Sequence, residues 1–294
     1  MTKLWGYRKD RVLWTGAIQL LELSIEVSPT MPQFKLAVHR SVILQLVRRD
    51  LEVRYRGSVL GMAWAFLLPL SMLAVYTFVF GIVFKQRWGT GEAQSPADFA
   101  LMLFAGLLVY SFFGECVSRA PVLILQNPNY VKKVVFPLQL LPLVPVGAAL
   151  VQMGISVVIL AVATLALKGS LPWTIVLFPF AMLPLVFLVL ACTWFLSALG
   201  VFLRDIGQVV GVAVSVLLYL SPVFFPLSAV PESVQWLVKL NPLTAPIEQA
   251  RFLLVQGQVP PLREWLLLLV VAILAMALGH AVFRRLRPHF ADVL

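Results

Sequence analysis

Long runs without any Asp, Glu, Lys or Arg constrain the fold of this chain more than any other feature. They cover residues 57–84, 99–114, 134–167, 169–203, 206–231 and 265–283. The chain is 61% hydrophobic and only 12% charged, whereas a soluble domain carries roughly 25% charged residues. About 20 apolar residues in a helix cross about 30 Å of hydrocarbon. The sequence therefore predicts an all-α integral membrane protein with six transmembrane helices.

Three of these runs need a local explanation. The runs 134–167 and 169–203 are too long for single crossings, so a loop is expected around Lys168–Pro172. The run 99–114 is short, but Glu115 and Arg119 lie one helical turn apart and can pair, which lets the helix continue. The run 206–231 contains several prolines and is expected to break near its far end.

The distribution of cations predicts the orientation. If both termini are cytoplasmic, the cytoplasmic segments hold 17 Lys and Arg residues and the outer segments hold six. This asymmetry follows the positive-inside rule and explains the net charge of +10 without nucleic acid. Residues 1–33 carry scattered charges and no uninterrupted apolar core, so no cleavable signal peptide is expected. We predict a multi-pass protein of the inner (plasma) membrane.

The stretch RRDLEVRYRGSVLGMAWAFLLPL joins a basic segment to the first apolar run. Residues 34–56 place most apolar side chains on one helical face and are basic, which favours an amphipathic helix in the plane of the membrane interface. A basic stop flanking the span is the alternative. Residues 1–33 then form an N-terminal cytoplasmic extension, and residues 288–294 form a cytoplasmic tail.

Five prolines interrupt the segment 219–254, at positions 222, 226, 231, 242 and 246. The segment is too broken to span a membrane and too apolar for a free loop. Non-helical backbone at membrane depth survives only where protein or a cavity covers it. We expect a pair of short re-entrant helices in the outer leaflet over 222–256; a surface cap is the alternative.

The chemistry of soluble enzymes is missing from the sequence. No G-x-x-x-x-G-K-[ST] pattern is present, so a Walker nucleotide site is excluded. The three histidines are widely separated, and Cys116 and Cys192 lie in apolar runs, so no metal site is expected. A proton- or sodium-driven carrier needs buried carboxylates, and these runs contain none. The energy source is therefore expected outside this chain.

Four motifs follow one another along the chain. The first comprises Arg49, Asp50, Leu51, Arg54, Tyr55, Ser58, Leu60, Gly61 and Trp64, followed by Val75, Tyr76, Val79 and Phe80. The second comprises Lys133, Phe136, Pro137, Leu141 and Pro142, and the third is Arg204 to Ile206. The last comprises Tyr219, Ser221 to Val223, Asn241, Pro242 and Arg251. In this order and spacing the chain, over about residues 34–287, resembles the permease subunits of ABC-2 type transporters that export polysaccharides.

The resemblance implies a transport subunit and not an enzyme. It implies a homodimer joined to two copies of a separate ABC ATPase, which binds ATP and Mg²⁺, with no cofactor in this chain. The cargo implied is an undecaprenyl-linked polysaccharide, with O-antigen favoured over teichoic acid or capsule, passing through a channel at the dimer interface. The coupling turn at 127–137 and the helix at 34–56 would rest on the ATPases.

Four sets of site residues follow from the resemblance and from the residue types. The substrate channel is assigned to Trp64, Phe66, Tyr76, Tyr219, Phe224 and Phe225. Access of the lipid diphosphate is assigned to Arg48, Arg49, Arg54 and Arg56. Coupling to the ATPase is assigned to Asn129, Tyr130, Lys132, Lys133, Phe136, Arg204 and Asp205. The outer gate is assigned to Pro222, Pro226, Asn241, Pro242 and Arg251.

Each assignment has a simpler rival. The aromatic side chains also suit a membrane-interface belt, the arginines suit lipid head groups, and Lys132 and Lys133 suit an ordinary positive-inside pair. An ABC-2 exporter of another lipid or a drug would have the same architecture. An intramembrane transferase would need clustered carboxylates or histidines at a membrane face, which the sequence lacks.

Overall fold

Helices form nearly all the regular structure of the computed structural model, which describes residues 32–83, 96–132 and 137–293. No strand occurs in those three ranges, so the all-α fold class is confirmed for them. Nearly all of the predicted N-terminal extension, and Lys133 and Phe136 of the coupling turn, lie outside the described residues. A packed unit begins at Leu46 and continues to the C-terminus.

Helix α1, Pro32–Tyr55, corresponds to the predicted interface helix and begins two residues earlier. An exposed turn follows, and a 3-10 turn at Gly61–Ala63 leads into α2, Trp64–Tyr76. Pro69 lies inside α2, and the helix continues as a π-helical segment, Thr77–Val83.

Helix α3, Pro96–Arg119, is the central element of the unit. Within the span Ala97–Val122, 78% of the most apolar part is buried, compared with 11% for the span Gly61–Phe80. Helix α2 packs against α3, as do the helices that cover residues 143–168, 183–202, 206–220 and 244–251. The predicted continuation of this helix past Glu115 to Arg119 is confirmed.

The next two long runs form helices separated by the predicted loop. After the short helix α4, Pro128–Lys132, and a 3-10 turn, α5 covers Leu143–Lys168. Gly169 ends α5 with a φ of 72°, a left-handed conformation that suits glycine. A 3-10 turn and the short α6, Phe178–Ala181, then lead into α7, Leu183–Phe202.

The predicted number of six spans is not confirmed. In the described part of the chain, five helices are long and apolar enough to cross a membrane. The remaining candidate is α8, Ile206–Leu220, with 15 residues, which at 1.5 Å per residue extends over only about 22 Å. The helix stops there because Ser221 adopts an extended conformation before Pro222.

Two short helices occupy the proline-rich segment, as the sequence predicted. They are α9, Glu232–Leu240, and α10, Thr244–Arg251, which continues as a π-helical turn, Phe252–Gln256. Helix α11, Leu262–Leu286, follows, and the chain closes with a 3-10 turn and α12, Phe290–Val293. The position of α9 and α10 in the outer leaflet stays a prediction.

Close backbone contacts join α7 to its neighbours. A Cβ added to Gly279 on α11 would lie 2.5 Å from the carbonyl oxygen of Ala191. A Cβ added to Gly200 would lie only 1.9 Å from the carbonyl oxygen of Pro121. Only glycine permits these approaches, so α7 is packed directly against α11 and against the end of the central span.

Candidate functional site

A cleft of about 600 Å³ opens between α2, α3 and α5, close to the end of α1. One wall is formed by side chains of α2, the facing wall by Phe104, Leu107 and Leu108 of α3. Arg54 and Arg56 lie at one end together with Glu115. The cleft is therefore apolar along its sides and charged at the end near α1.

The α2 wall contains two of the predicted channel aromatics. Trp64, Leu68, Met72 and Tyr76 follow one another at intervals of four and all line the cleft. Each such interval rotates the side chain by about 40°, which accumulates to about 120° between Trp64 and Tyr76. The cleft follows this rotation, so both aromatics border it. Phe66 does not, and its side chain is 49% exposed.

Ion pairs at the charged end tie α1 to α3. Arg119 donates to both carboxylate oxygens of Asp50, with Nη1–Oδ2 at 3.0 Å and Nη2–Oδ1 at 2.5 Å. Arg54 donates to Oδ2 of Asp50 at 3.3 Å and is ion-paired with Glu115. Nη1 of Arg119 also lies 3.6 Å from Oε1 of Glu115, which confirms the predicted pair within α3. The four side chains form a closed network.

The network also fixes the ionisation of Asp50. Burial alone would raise its pKa, but the hydrogen bonds and positive charges of Arg119 and Arg54 hold the pKa of this carboxyl below its ordinary value of 3.8. Asp50 is therefore ionised at neutral pH and remains available to both guanidinium groups.

The four arginines predicted to attract a diphosphate have different surroundings. Arg48 pairs with Glu52 at 2.8 Å on the exposed surface of α1. Arg49 contacts the Tyr130 hydroxyl at 3.5 Å. Arg54 belongs to the partly buried network described above. Arg56 is exposed at the cleft, and no described residue forms an ion pair with it.

Two other predicted channel aromatics, Tyr219 and Phe224, are connected to Tyr76 of α2 through Phe80, which the channel assignment omitted. Phe80 lies 6.3 Å from Tyr76 and 6.3 Å from Phe224, between ring centroids. Phe224 stacks on Tyr219 with centroids 6.2 Å apart and an interplanar angle of 26°. The rings form a continuous series from the cleft wall to the end of α8. Phe225, which is partly buried, is outside this series.

Arg251, a predicted outer-gate residue, is fully buried. Its Nε donates to the Met102 carbonyl at 3.1 Å, and Nη2 donates to the Val223 carbonyl at 2.8 Å. Nη1 binds Oε1 of Glu248 at 2.7 Å. Burial lowers the pKa of Arg251 to about 10, so the guanidinium is still charged at neutral pH. The side chain joins α3, α10 and the break after α8.

A second polar contact closes the same region. Nδ2 of Asn241 donates to Oγ of Ser221 at 2.9 Å, and its Oδ1 accepts from the Leu243 amide at 2.9 Å. The break at Pro222 and the start of α10 are therefore fixed by side-chain hydrogen bonds. Pro226 and Pro242 flank this contact region without contributing hydrogen-bond donors of their own.

Comparison of the sequence with known proteins identifies the family of this chain. A family model described as ABC-2 type transporter matches residues 41–255. The chain belongs to this family. It is similar to a protein of Myxococcus xanthus named O-antigen export system permease protein RfbA, 29% identical over 256 residues. A Klebsiella pneumoniae protein of the same name is 26% identical over 256 residues. Each alignment covers 86% of this chain and 95% of the relative.

Membership of the ABC-2 family makes the chain a transport subunit and a multi-pass membrane protein. It also implies association with an ABC ATPase. The predicted coupling residues that the structure describes lie at two places in this ABC-2 chain. Asn129 and Tyr130 belong to α4, together with Lys132, the last residue of that helix. Arg204 and Asp205 form an exposed turn between α7 and α8.

The site residues assigned from the sequence include neither Phe80, which was named only as part of the first motif, nor Gln152. Phe80 follows Tyr76 by four residues, which signals a shared helical face. Gln152 is a polar residue within an otherwise apolar run, a pattern that indicates a buried hydrogen-bonding role. It also lines the cleft.

Proposed function

We propose that this chain is the transmembrane subunit of an ATP-driven transporter that exports a lipid-linked polysaccharide of the O-antigen type across the inner membrane. The cleft carries the proposal, because it places Trp64 and Tyr76 on one wall and Arg56 at its charged end. Aromatic rings present apolar faces to sugar rings, and arginine binds phosphate bidentately. The names of the two relatives support the same cargo.

In the proposed mechanism, Arg56 makes the first contact with the lipid diphosphate. Three of the four predicted arginines already have partners on the protein: Arg48 pairs with Glu52, Arg49 contacts Tyr130, and Arg54 is held by the network. Arg56 is exposed and lines the cleft. The protein partners of the other three arginines support Arg56 as the principal residue in this proposal.

The glycan then follows the aromatic series toward the outer side. Helix α2 and α8 leave much apolar surface uncovered in the protomer; Val212 on α8 is 66% exposed and Tyr219 is 71% exposed. We propose that a second copy of the chain covers these surfaces and that the channel forms between the two copies. Helices α9 and α10 gate its outer mouth, and both termini are cytoplasmic.

Two ATPase subunits supply the energy in this proposal, with ATP and Mg²⁺ bound there. They dock on α1, on the coupling turn that contains α4, and on the exposed turn at Arg204 and Asp205. Nucleotide-driven closure moves α1 and α4, and this motion opens the path between the two copies.

The test is ATP-dependent glycan transport in proteoliposomes that contain this chain and its ATPase. Undecaprenyl-diphosphate glycan should reach the lumen only with a hydrolysis-competent ATPase. Trp64→Ala and Arg56→Gln should each reduce transport about tenfold, the usual effect of losing one strong contact of about 1.4 kcal/mol. Trp173→Ala, which removes a 68% exposed tryptophan, should transport normally.

Two other outcomes would contradict the proposal. Movement of lipid without glycan would indicate an ABC-2 exporter of another lipid. Covalent product formed by this chain alone would indicate an intramembrane transferase.

A further inference from the structure

The side-chain amide of Gln152 joins three helices at the base of the cleft. Its Oε1 accepts a hydrogen bond from the Tyr55 hydroxyl at 3.2 Å, and its Nε2 donates to the Ala65 carbonyl at 2.8 Å. Tyr55 is the last residue of α1, Ala65 lies in the first turn of α2, and Gln152 belongs to α5. One amide therefore contacts both sides of the turn between α1 and α2.

This turn has little packing of its own. Gly57 and Gly61 have φ angles of 84° and 50°, and an added Cβ at either position would meet no atom within 4 Å. Val59 at its centre is fully exposed. Glycine at positive φ provides the reversal. The hydrogen bonds at the tip, such as Ser58 Oγ to the Tyr55 carbonyl at 3.0 Å, join only residues near one another in sequence, so they do not fix the angle between the helices against the rest of the protein. Side chains below the turn must hold it.

Two sets of contacts act there, and they differ in what they join. The ion pairs of Asp50 and Arg54 attach α1 to α3, but they do not involve α2. The Gln152 amide attaches the end of α1 and the start of α2 to the same point of α5. It is therefore the contact that relates the angle of α1 directly to the wall of the cleft.

We propose that Gln152 is a positioning residue that holds the end of α1 and the start of α2 as one rigid elbow. A displacement of α1 by the ATPase is then passed to Trp64 and the rest of the α2 wall. This inference rests on the proposed transport function. Glutamine suits the role because an amide supplies one acceptor and one donor at the same time.

The first experiment measures coupling in the complete transporter with its ATPase in lipid. Gln152→Met keeps the side-chain length and removes both hydrogen bonds. We expect it to retain ATP hydrolysis within about twofold while glycan exported per ATP falls about tenfold. Tyr55→Phe removes one bond and should reduce the ratio less. The double variant should equal Gln152→Met alone, because the Tyr55 bond is already lost.

Gln258→Leu, at an exposed glutamine beyond α10, is the control for losing an amide and should match the wild type. An unchanged ratio in Gln152→Met, or an additive loss in the double variant, would overturn the inference.

The second experiment measures the elbow itself. Spin labels at Glu52→Cys on α1 and Leu70→Cys on α2, both exposed positions, are placed in a Cys116→Ala, Cys192→Ala background. Labelled chains are diluted with unlabelled ones so that only distances within one chain are read. Gln152→Met should broaden the distance distribution at least about twofold, since the angle loses its fixed contact; an equally narrow distribution would refute the elbow.

The spin-label distance measurement does not depend on transport activity. If the wild type itself moves no glycan, the proposed function fails, and the distance measurement still decides whether Gln152 holds the elbow.

Discussion

Arg251 shows how much a single side chain holds together in this molecule. Its guanidinium binds the Met102 carbonyl, the Val223 carbonyl and the Glu248 carboxylate while it is fully buried. Arg251→Met would leave all three groups without their partner, including a carboxylate. Breaking a buried ion pair from one side costs about 3–5 kcal/mol. We expect a strong fall in the thermal midpoint of the detergent-solubilised protein.

Arg263→Met provides the matched control, because Arg263 is exposed in the first turn of α11. It should leave the midpoint nearly unchanged. Equal midpoints for the two variants would show that the buried contacts of Arg251 contribute nothing to stability. Arg251→Lys should be intermediate, since an ammonium group keeps the charge but cannot reproduce the planar set of donors.

The sequence predicted local residue pairs well and distant ones poorly. The Glu115–Arg119 pair follows directly from helical spacing. The pairs Arg54–Glu115 and Asp50–Arg119 depend on how α1 lies against α3, which no local pattern encodes. For that reason the sequence places Arg54 and Arg56 in one set, whereas in the structure Arg54 also binds Glu115 of α3.

At the scale of helices, packing distances depend on a few glycines. Gly200 of α7 lies so close to Pro121 that an added Cβ would be 1.9 Å from a backbone oxygen. Backbone cannot yield as a flexible side chain does, so Gly200→Ala must separate α7 from the end of the central span. Overpacking costs about 1–3 kcal/mol even where side chains can adjust. We expect a lower yield of folded protein and a lower thermal midpoint.

Gly154→Ala on α5 is the control, because a Cβ there meets nothing within 4 Å. Alanine within a helix is more favourable than glycine by about 1 kcal/mol, so this variant should be as stable as the wild type or slightly more stable. A Gly200→Ala protein that behaves in the same way would contradict the close approach seen here.

The uncharged runs predicted that the long helices exist. Where each helix ends depends on particular residues at its terminus. Lys168 and Gly169 ended α5 where the sequence indicated a loop. The run 206–231 was counted as one span, yet Ser221 ends α8 after 15 residues. The first apolar residue beyond Pro222 packs inside the protein: Val223 is fully buried. Hydrophobicity alone does not distinguish burial against lipid from burial against protein.

At the scale of the whole molecule, the last helix, α12, packs against two elements that are distant in sequence, α4 and the end of α7. Phe290 is fully buried, with ring centroids 6.0 Å from Phe202 and 5.5 Å from Phe283. The sequence predicted only a cytoplasmic tail at 288–294. Its packing makes the tail a support for α4 and for the turn at Arg204.

Because the tail supports α4, Phe290→Ala should weaken the attachment of the ATPase in the proposed complex. Removing a buried phenylalanine costs about 3–5 kcal/mol, but Phe290 lies outside the main hydrophobic core around α3, so the loss should be local and the thermal midpoint of the membrane helices should change little. We expect roughly tenfold weaker binding of the ATPase, measured by titration in nanodiscs. Val293→Ala removes a 45% exposed side chain of the same helix and should bind normally. Wild-type affinity in Phe290→Ala, with a C-terminus newly sensitive to protease, would show that the tail folds against α4 without supporting the ATPase site.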